Sequence, residues 1–266
     1  MLVLENVYQK TLEHPSSMDL LGVGLVSMTE KRYNIVFSKG IKRSLIKLLI
    51  RFYRSEILEK KEGKRIKLLG AYTIYVHFYT IEDEHISIFY VSETKKLIKY
   101  DGLCSLSKQL LNSYCSNATF SEINQLCNRA IPSAKELSAL FVISTTGHSL
   151  FTKVRKDKKY LADNFIIISG FISAILTFSN EVIGKNTGDT LQAINFENQQ
   201  FFLTVKEGVI FAYLIEDFTK SKNIKRFMEL LIEEFLDQYC DCLEDFNGEI
   251  SQFSNFERVV DKYFDI

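Results

Sequence analysis

The chain has 266 residues, 46% hydrophobic and 25% charged, with 33 basic and 33 acidic side chains. These are globular proportions with ample material for a buried core, which excludes a disordered chain. The zero net charge, with no base-reading motif beside it, argues against nucleic acid as a partner.

At roughly 100 to 200 residues per domain, the length predicts two domains. Residues 1–132 hold 19 Lys+Arg against 13 Asp+Glu, and the remainder holds 14 against 20, so a basic half precedes an acidic one. That asymmetry fits two faces with different partners, and equally two halves that attract each other. Five cysteines (Cys104, Cys115, Cys127, Cys240, Cys242) follow no disulfide spacing and read as thiols in a reducing compartment. The opening MLVLENVYQKTLEHPSS lacks the basic start of a signal peptide. The longest strongly apolar run, Phe165 to Phe178, is about 14 residues where a membrane span needs about 20. A cytoplasmic protein is expected.

In chain order, Pro15 precedes an alternation of Leu21, Val23 and Leu25, a turn at Thr29-Glu30-Lys31, and a second alternation of Tyr33, Ile35 and Phe37, which is a hairpin pattern. Ile41 to Leu58 then has a helical period. Ile41, Leu45, Leu48, Leu49 and Phe52 share one face, while Arg43, Lys47, Arg51 and Arg54 form a basic stripe on another. Ile66–Tyr79 and Ile86–Val91 are rich in β-branched and aromatic residues, and Gly70 is placed to split the longer run in two. A helix over Leu97–Tyr114 follows. Thr119-Phe120-Ser121-Glu122 then has the spacing of a capping box and starts a short helix that ends before Pro132, the expected domain boundary.

The second half repeats this order. Phe141 and Ile143, a turn at Thr146-Gly147, and Leu150 with Phe151 predict another hairpin. The run from Asn164 to Ile183 predicts a helix without a single charge from Phe165 to Asn180. Ser169, Ser173 and Thr177 recur every fourth residue with Gly170 and Ala174 beside them, a small-residue seam that lets another helix or sheet approach closely. Strands are expected over Leu191–Phe196, Phe201–Val205 and Val209–Ile215, and a helix over Lys222–Leu243. In the acidic C-terminal stretch, Phe246, Phe253, Phe256 and Phe264 predict a tail whose rings dock on the body. Each half therefore reads β-β-α-β-β-β-α, an architectural duplication whose fold class is α+β: two five-stranded antiparallel sheets flanked by helices, over residues 1–132 and 133–266.

Chemical motifs are sparse. His14, His77, His85 and His148 have no close spacing to a carboxylate or cysteine, and no phosphate-binding glycine loop occurs, so no enzyme, metal or cofactor is expected. Cys240 and Cys242 lie on nearly opposite faces of a helix, which favours core packing over metal binding. The basic stripe Arg43, Lys47, Arg51 and Arg54 fits an acidic protein, an anionic membrane or a solvated face.

This element order resembles the longin and roadblock superfamily, a five-stranded antiparallel sheet with one helix after the second strand and one or two after the fifth. As topology the resemblance covers residues 20 to 243. LFVISTTGHSLFTKV (Leu140–Val154) is similar to the family's opening hairpin, and TLQAINFENQQFFLTVKEGVIFAYLIED (Thr190–Asp217) to its third to fifth strands. The first half departs further, with no Gly in its turn Thr29-Glu30-Lys31 and an unusually basic helix. The resemblance implies a non-enzymatic platform in a small-GTPase regulatory, exchange-factor or trafficking assembly. Its partner would be a Ras-like GTPase, another longin or roadblock subunit, or a second copy in a homodimer. The seam helix (Ser169, Gly170, Ser173, Ala174, Thr177) and its neighbouring strands would be the pairing surface. A small-ligand sensor and a peripheral membrane adaptor using residues 41–58 are the alternatives.

Overall fold

Strand-forming alternation and turn chemistry build the same sheet twice. The computed structural model describes residues 18, 20–60, 62–95, 98–188, 190–216 and 223–266, so the N-terminal segment with His14 and Pro15 lies outside the described residues. Two compact units divide the chain, Met1–Pro132 and Ser133–Ile266.

In the first unit, β1 (Leu20–Met28) and β2 (Tyr33–Lys39) form the hairpin, α1 (Arg43–Glu59) follows, and β3 (Glu62–Leu69), β4 (Tyr72–Ile81) and β5 (Glu84–Glu93) complete the sheet. Gly70 does split the long run: it turns at φ 58°, a left-handed conformation that costs glycine little. The strands lie in the order β2-β1-β5-β4-β3, all antiparallel. Helices α2 (Tyr100–Cys115) and α3 (Phe120–Asn128) close the unit. The expected capping box is present, with Thr119 accepting from the Glu122 amide and Glu122 accepting from the Thr119 amide.

The second unit repeats the plan with β6 (Leu137–Ser144), β7 (Ser149–Val154), one turn of helix α4 (Lys159–Asp163), then α5 (Phe165–Ser179) and the short α6 (Lys185–Thr187). A π-helical turn over Asn180–Gly184 joins α5 to α6. Strands β8 (Ala193–Asn195), β9 (Gln200–Lys206) and β10 (Val209–Ile215) give the order β7-β6-β10-β9-β8. Helix α7 (Ile224–Glu244) and the closing α8 (Glu257–Tyr263) follow.

Because successive strand side chains point to opposite faces, each sheet has two surfaces to bury. In the first unit Ile74, Val76, Phe78, Phe89 and Val91 pack with Ile46, Leu49, Ile50, Tyr53 and Ile57 of α1. The alternate residues His77 and Tyr90 meet α2 instead, both bonded to Ser107. In the second unit Ile210, Ala212 and Leu214 pack with Ile172 and Leu176 of α5. Phe211, on the other face, stacks edge-on against Phe235 of α7 with ring centroids 5.5 Å apart. Each unit is thus a three-layer sandwich of helix, sheet and helix. The most central strand of the second unit, β10, is buried along its whole length.

The acidic tail docks by its rings. Phe253, Phe256, Tyr263 and Phe264 are fully or almost fully buried. Phe256 and Phe253 lie 4.8 Å and 5.7 Å from the Phe235 ring. Ala134 donates to the Tyr263 carbonyl at 2.9 Å and accepts from Asp265 at 2.9 Å, so the chain end pairs with the start of its own unit. Nearby, the buried Lys262 ammonium is held by the Glu234 carboxylate at 2.5 Å, which also accepts from Tyr263. Truncating Phe256 to alanine should therefore lower the stability of the second unit by about 3 to 5 kcal/mol, the usual range for a buried phenylalanine. Urea unfolding with a probe specific to that unit checks this.

Candidate functional site: the outer face of the seam helix

Helix α5 buries one side and presents the other. Ser169, Ile172, Ser173, Leu176 and Ser179 face the sheet. The outward side carries Ile166 and Ile167, 71% and 70% exposed, with Phe171 at 47% and Phe178 at 63%. Val182 and Ile183 extend this exposure into the π turn. Both sides are strongly apolar, so from sequence the helix reads as covered on more than one side.

The five residues expected to form one seam fall on two faces. Ser169 and Ser173 pack inward, and the Ser173 hydroxyl donates to the Thr145 carbonyl at 3.0 Å. There the hairpin turn comes close: Gly147, at φ 89°, would place a Cβ 3.5 Å from Ser173. Gly170, Ala174 and Thr177 are exposed. A Cβ added at Gly170 would meet nothing within 4 Å. Rows one residue apart on a helix lie more than a quarter-turn apart, so the sheet covers Ser169 and Ser173 and leaves Gly170 and Ala174 outward. What faces outward is a shallow strip of Gly170, Ala174 and Thr177, bordered by Ile166 and Ile167 and by Phe171 and Phe178. Small residues framed by large apolar ones admit a second backbone closely.

The sequence run of about 14 apolar residues also proves to be part of a longer element. Phe165–Gly184 is a 20-residue helix of mean hydropathy 1.8, long and apolar enough by length and composition to cross a membrane. In the folded unit Ile172 and Leu176 join the core, while only 28% of the helix's apolar window is buried.

Helix α1 occupies the equivalent position and has a different outer surface. Arg43, Lys47 and Arg51 of the basic stripe are exposed, while Arg54 is half-buried and donates to the Glu30 carbonyl at 2.5 Å, tying the helix to the hairpin turn. Leu48 and Phe52, expected on the apolar face, stand outward at 55% and 60% exposure. The buried line runs instead through Ile46, Leu49, Ile50, Tyr53 and Ile57.

The closest serine–histidine pair among the described residues is enclosed. His77 Nδ1 lies 2.7 Å from Ser107 Oγ, which in turn lies 2.7 Å from the Tyr90 hydroxyl. This has the distance of a nucleophile and base, separated by 30 residues in sequence and so invisible to motif reading. Yet His77 is 1% exposed and Ser107 fully buried, which leaves a substrate no approach. Desolvation, assisted by the Lys64 charge, pushes the His77 pKa down to about 4. His85 bonds to Thr80 and His148 to Thr146. All five cysteines are free thiols. Cys127 is buried, and burial pushes its thiol up to about 12. Cys240 is exposed rather than in the core, because its side of α7 faces solvent. Among the described residues, no group of three or more His, Cys, Asp or Glu is placed to hold a metal. A half-open cavity of about 740 Å³ lies beside β9 and the segment leading into β8, lined by Leu176, Asn180, Leu191, Phe202, Met228 and Ile232 among others.

No family model and no curated protein matches the sequence. Among solved structures, a Roadblock/LC7 domain from Streptomyces avermitilis is similar at 10% identity and a TM-score of 0.32, over 40% of this chain and 87% of that one. The topology itself is the firmer guide. Two five-stranded antiparallel sheets, each with a helix after its second strand and helices after its fifth, make an α+β protein of two like-ordered domains, an arrangement that fits tandem longin-like domains.

Two outcomes follow from this geometry. Ser169 Oγ is buried with no hydrogen-bond partner among the described residues. Ser169→Ala should therefore leave stability unchanged or raise it by about 1 kcal/mol, whereas Ser173→Ala, which loses the bond to Thr145, should cost about 1 kcal/mol. Thermal unfolding of both variants distinguishes them. For His77 the folded pKa of about 4 lies below the ordinary 6.5, so the folded state favours the neutral ring. Its contribution is complete above about pH 6.5 and is lost as pH falls towards 4, by at most roughly 3 kcal/mol. His77→Gln should flatten that part of the stability-pH curve, measured by denaturant titration from pH 7.5 to 4.

Proposed function

We propose that the protein is a non-enzymatic binding platform, a cytoplasmic subunit of a small-GTPase regulatory or trafficking assembly that docks another longin/roadblock-type subunit on the outer face of α5. The observation that supports this reading most is the apolar strip of Ile166, Ile167, Phe171 and Phe178 around Gly170 and Ala174. Exposed apolar patches on folded domains mark interaction surfaces, and a strip without charge from Phe165 to Asn180 suits a partner helix of the same kind. A second copy and a different subunit are both partners of that kind. The Ras-like GTPase would then sit on the paired assembly, and any exchange activity would come from tighter binding to its nucleotide-free state.

The small-ligand reading has the cavity beside β9 in its favour, since about 300 to 1,000 Å³ is the usual size of a ligand site. It is half open to solvent, which weakens it as an enclosed pocket.

The platform reading is tested by mixing the full chain with Ras-like GTPases of its own source loaded with a fluorescent nucleotide. Complex formation in at least one nucleotide state, or faster nucleotide release, is expected. Ile167→Glu with Phe171→Glu should weaken pairing of the chain with itself or a longin-type subunit by 100-fold or more, since each buries a charge against an apolar partner surface. Absence of binding in every nucleotide state, together with an unchanged release rate, would remove the GTPase from the proposal. A light-scattering mass that the double variant leaves unaltered, with and without the partner subunit, would remove the pairing face.

A further inference from the structure

The outer surface of α1 differs from that of α5 in a way the pairing reading does not use. Leu48 and Phe52 are one turn apart and form a short apolar crest, 55% and 60% exposed. Arg43, Lys47 and Arg51 run along one flank of that crest, again one turn apart and all exposed. On the other flank Lys67 of β3 reaches over the Phe52 ring, its ammonium 3.5 Å from the ring centroid. The crest is therefore framed by cations on both sides. Of the acidic residues on α1, Glu56 is occupied by Lys60 and Arg65. Glu59 is exposed at the last position of the helix, beyond the crest.

Five inward side chains hold α1 flat against the sheet: Ile46, Leu49, Ile50, Tyr53 and Ile57. Its outward groups thus form a fixed array about 25 Å long. Two depths of chemistry are presented together. Apolar groups stand at the centre, and long cationic side chains flank them. An anionic bilayer surface has the complementary arrangement, phosphates and carboxylates at the level of the cations and hydrocarbon just below them.

We infer that the outer face of α1, with Lys67, is a membrane-docking surface for anionic lipid headgroups, into which Leu48 and Phe52 insert shallowly. This contact is peripheral and reversible. The attraction of Arg43, Lys47 and Arg51 weakens as salt screens it, while the apolar crest supplies a part that salt does not remove. Because α1 and α5 belong to different units, the inference stands independently of which partner α5 holds.

Sedimentation of the full chain with vesicles tests it, using pure phosphatidylcholine and phosphatidylcholine containing about one third phosphatidylserine. Binding to the mixed vesicles at low salt is expected, together with little binding to the neutral ones. Reversing Arg43, Lys47 and Arg51 to glutamate should lower the partition coefficient at least about 100-fold, on the basis of about 1 kcal/mol per cation. Leu48→Ser with Phe52→Ser should lower it roughly 10-fold through lost apolar burial. Both sets are solvent-exposed, and an unchanged thermal transition confirms that folding is intact; if the glutamate variant unfolds, the glutamine series replaces it. No association with the mixed vesicles overturns the inference, as does binding that the charge reversal leaves unchanged. Capture of an acidic protein through Arg43, Lys47 and Arg51 without any vesicle binding also overturns it.

Discussion

The central strands of each sheet are apolar on both faces, and that requirement shapes everything else in the molecule. In β10 every residue from Val209 to Ile215 is buried. Such a strand is stable only if one helix covers each side, so the chain must supply a layer after its second strand and another after its fifth. The apolar residues of one parity commit α1 and α5 to the first face. Those of the other parity commit α2 and α7 to the second, with the tail rings of Phe253 and Phe256 filling the remaining gap beside Phe235. Neither helix of a pair is dispensable, because removing it would expose one whole side of the sheet.

Once the inner faces are assigned to the core, the outer faces are free to differ. Here the two equivalent helices diverge. Helix α1 places cations around a small apolar crest, which remains compatible with water until a charged surface is met. Helix α5 places large apolar side chains around Gly170, Ala174 and Thr177, a surface with no polar alternative to burial. Duplication of the sandwich with divergence of its outer surfaces leaves two faces of different chemistry on one architecture.

The buried polar groups follow the same logic of enclosure. His77, Ser107 and Tyr90 satisfy one another between β4, β5 and α2, and burial keeps the imidazole neutral at ordinary pH. A serine and histidine at 2.7 Å have the distance of a catalytic pair, but without access they fix the packing of α2 on the sheet. Lys262 with Glu234 and Tyr263 does the same for the closing helix.

Element order, the two hairpins, the break at Gly70 and the Thr119 capping box were all determined by the sequence alone. Each depends on local backbone chemistry or on a period of two or nearly four, and such signals need no knowledge of what lies opposite. The docking of the tail was legible too, because phenylalanines within an acidic stretch have little alternative to burial. Which side of α5 faces the sheet was not legible. A helix that is apolar all round has no periodic contrast, so Ser169 and Gly170 look equivalent until the sheet selects one of them. Leu48 and Phe52 of α1 also have a spacing that fits an inner face, but Ile46, Ile50 and Tyr53 are the residues that pack with β4 and β5. Only tertiary packing decided these rotations. The sheet residues each helix packs on select its inner side, and with it the chemistry left facing outward.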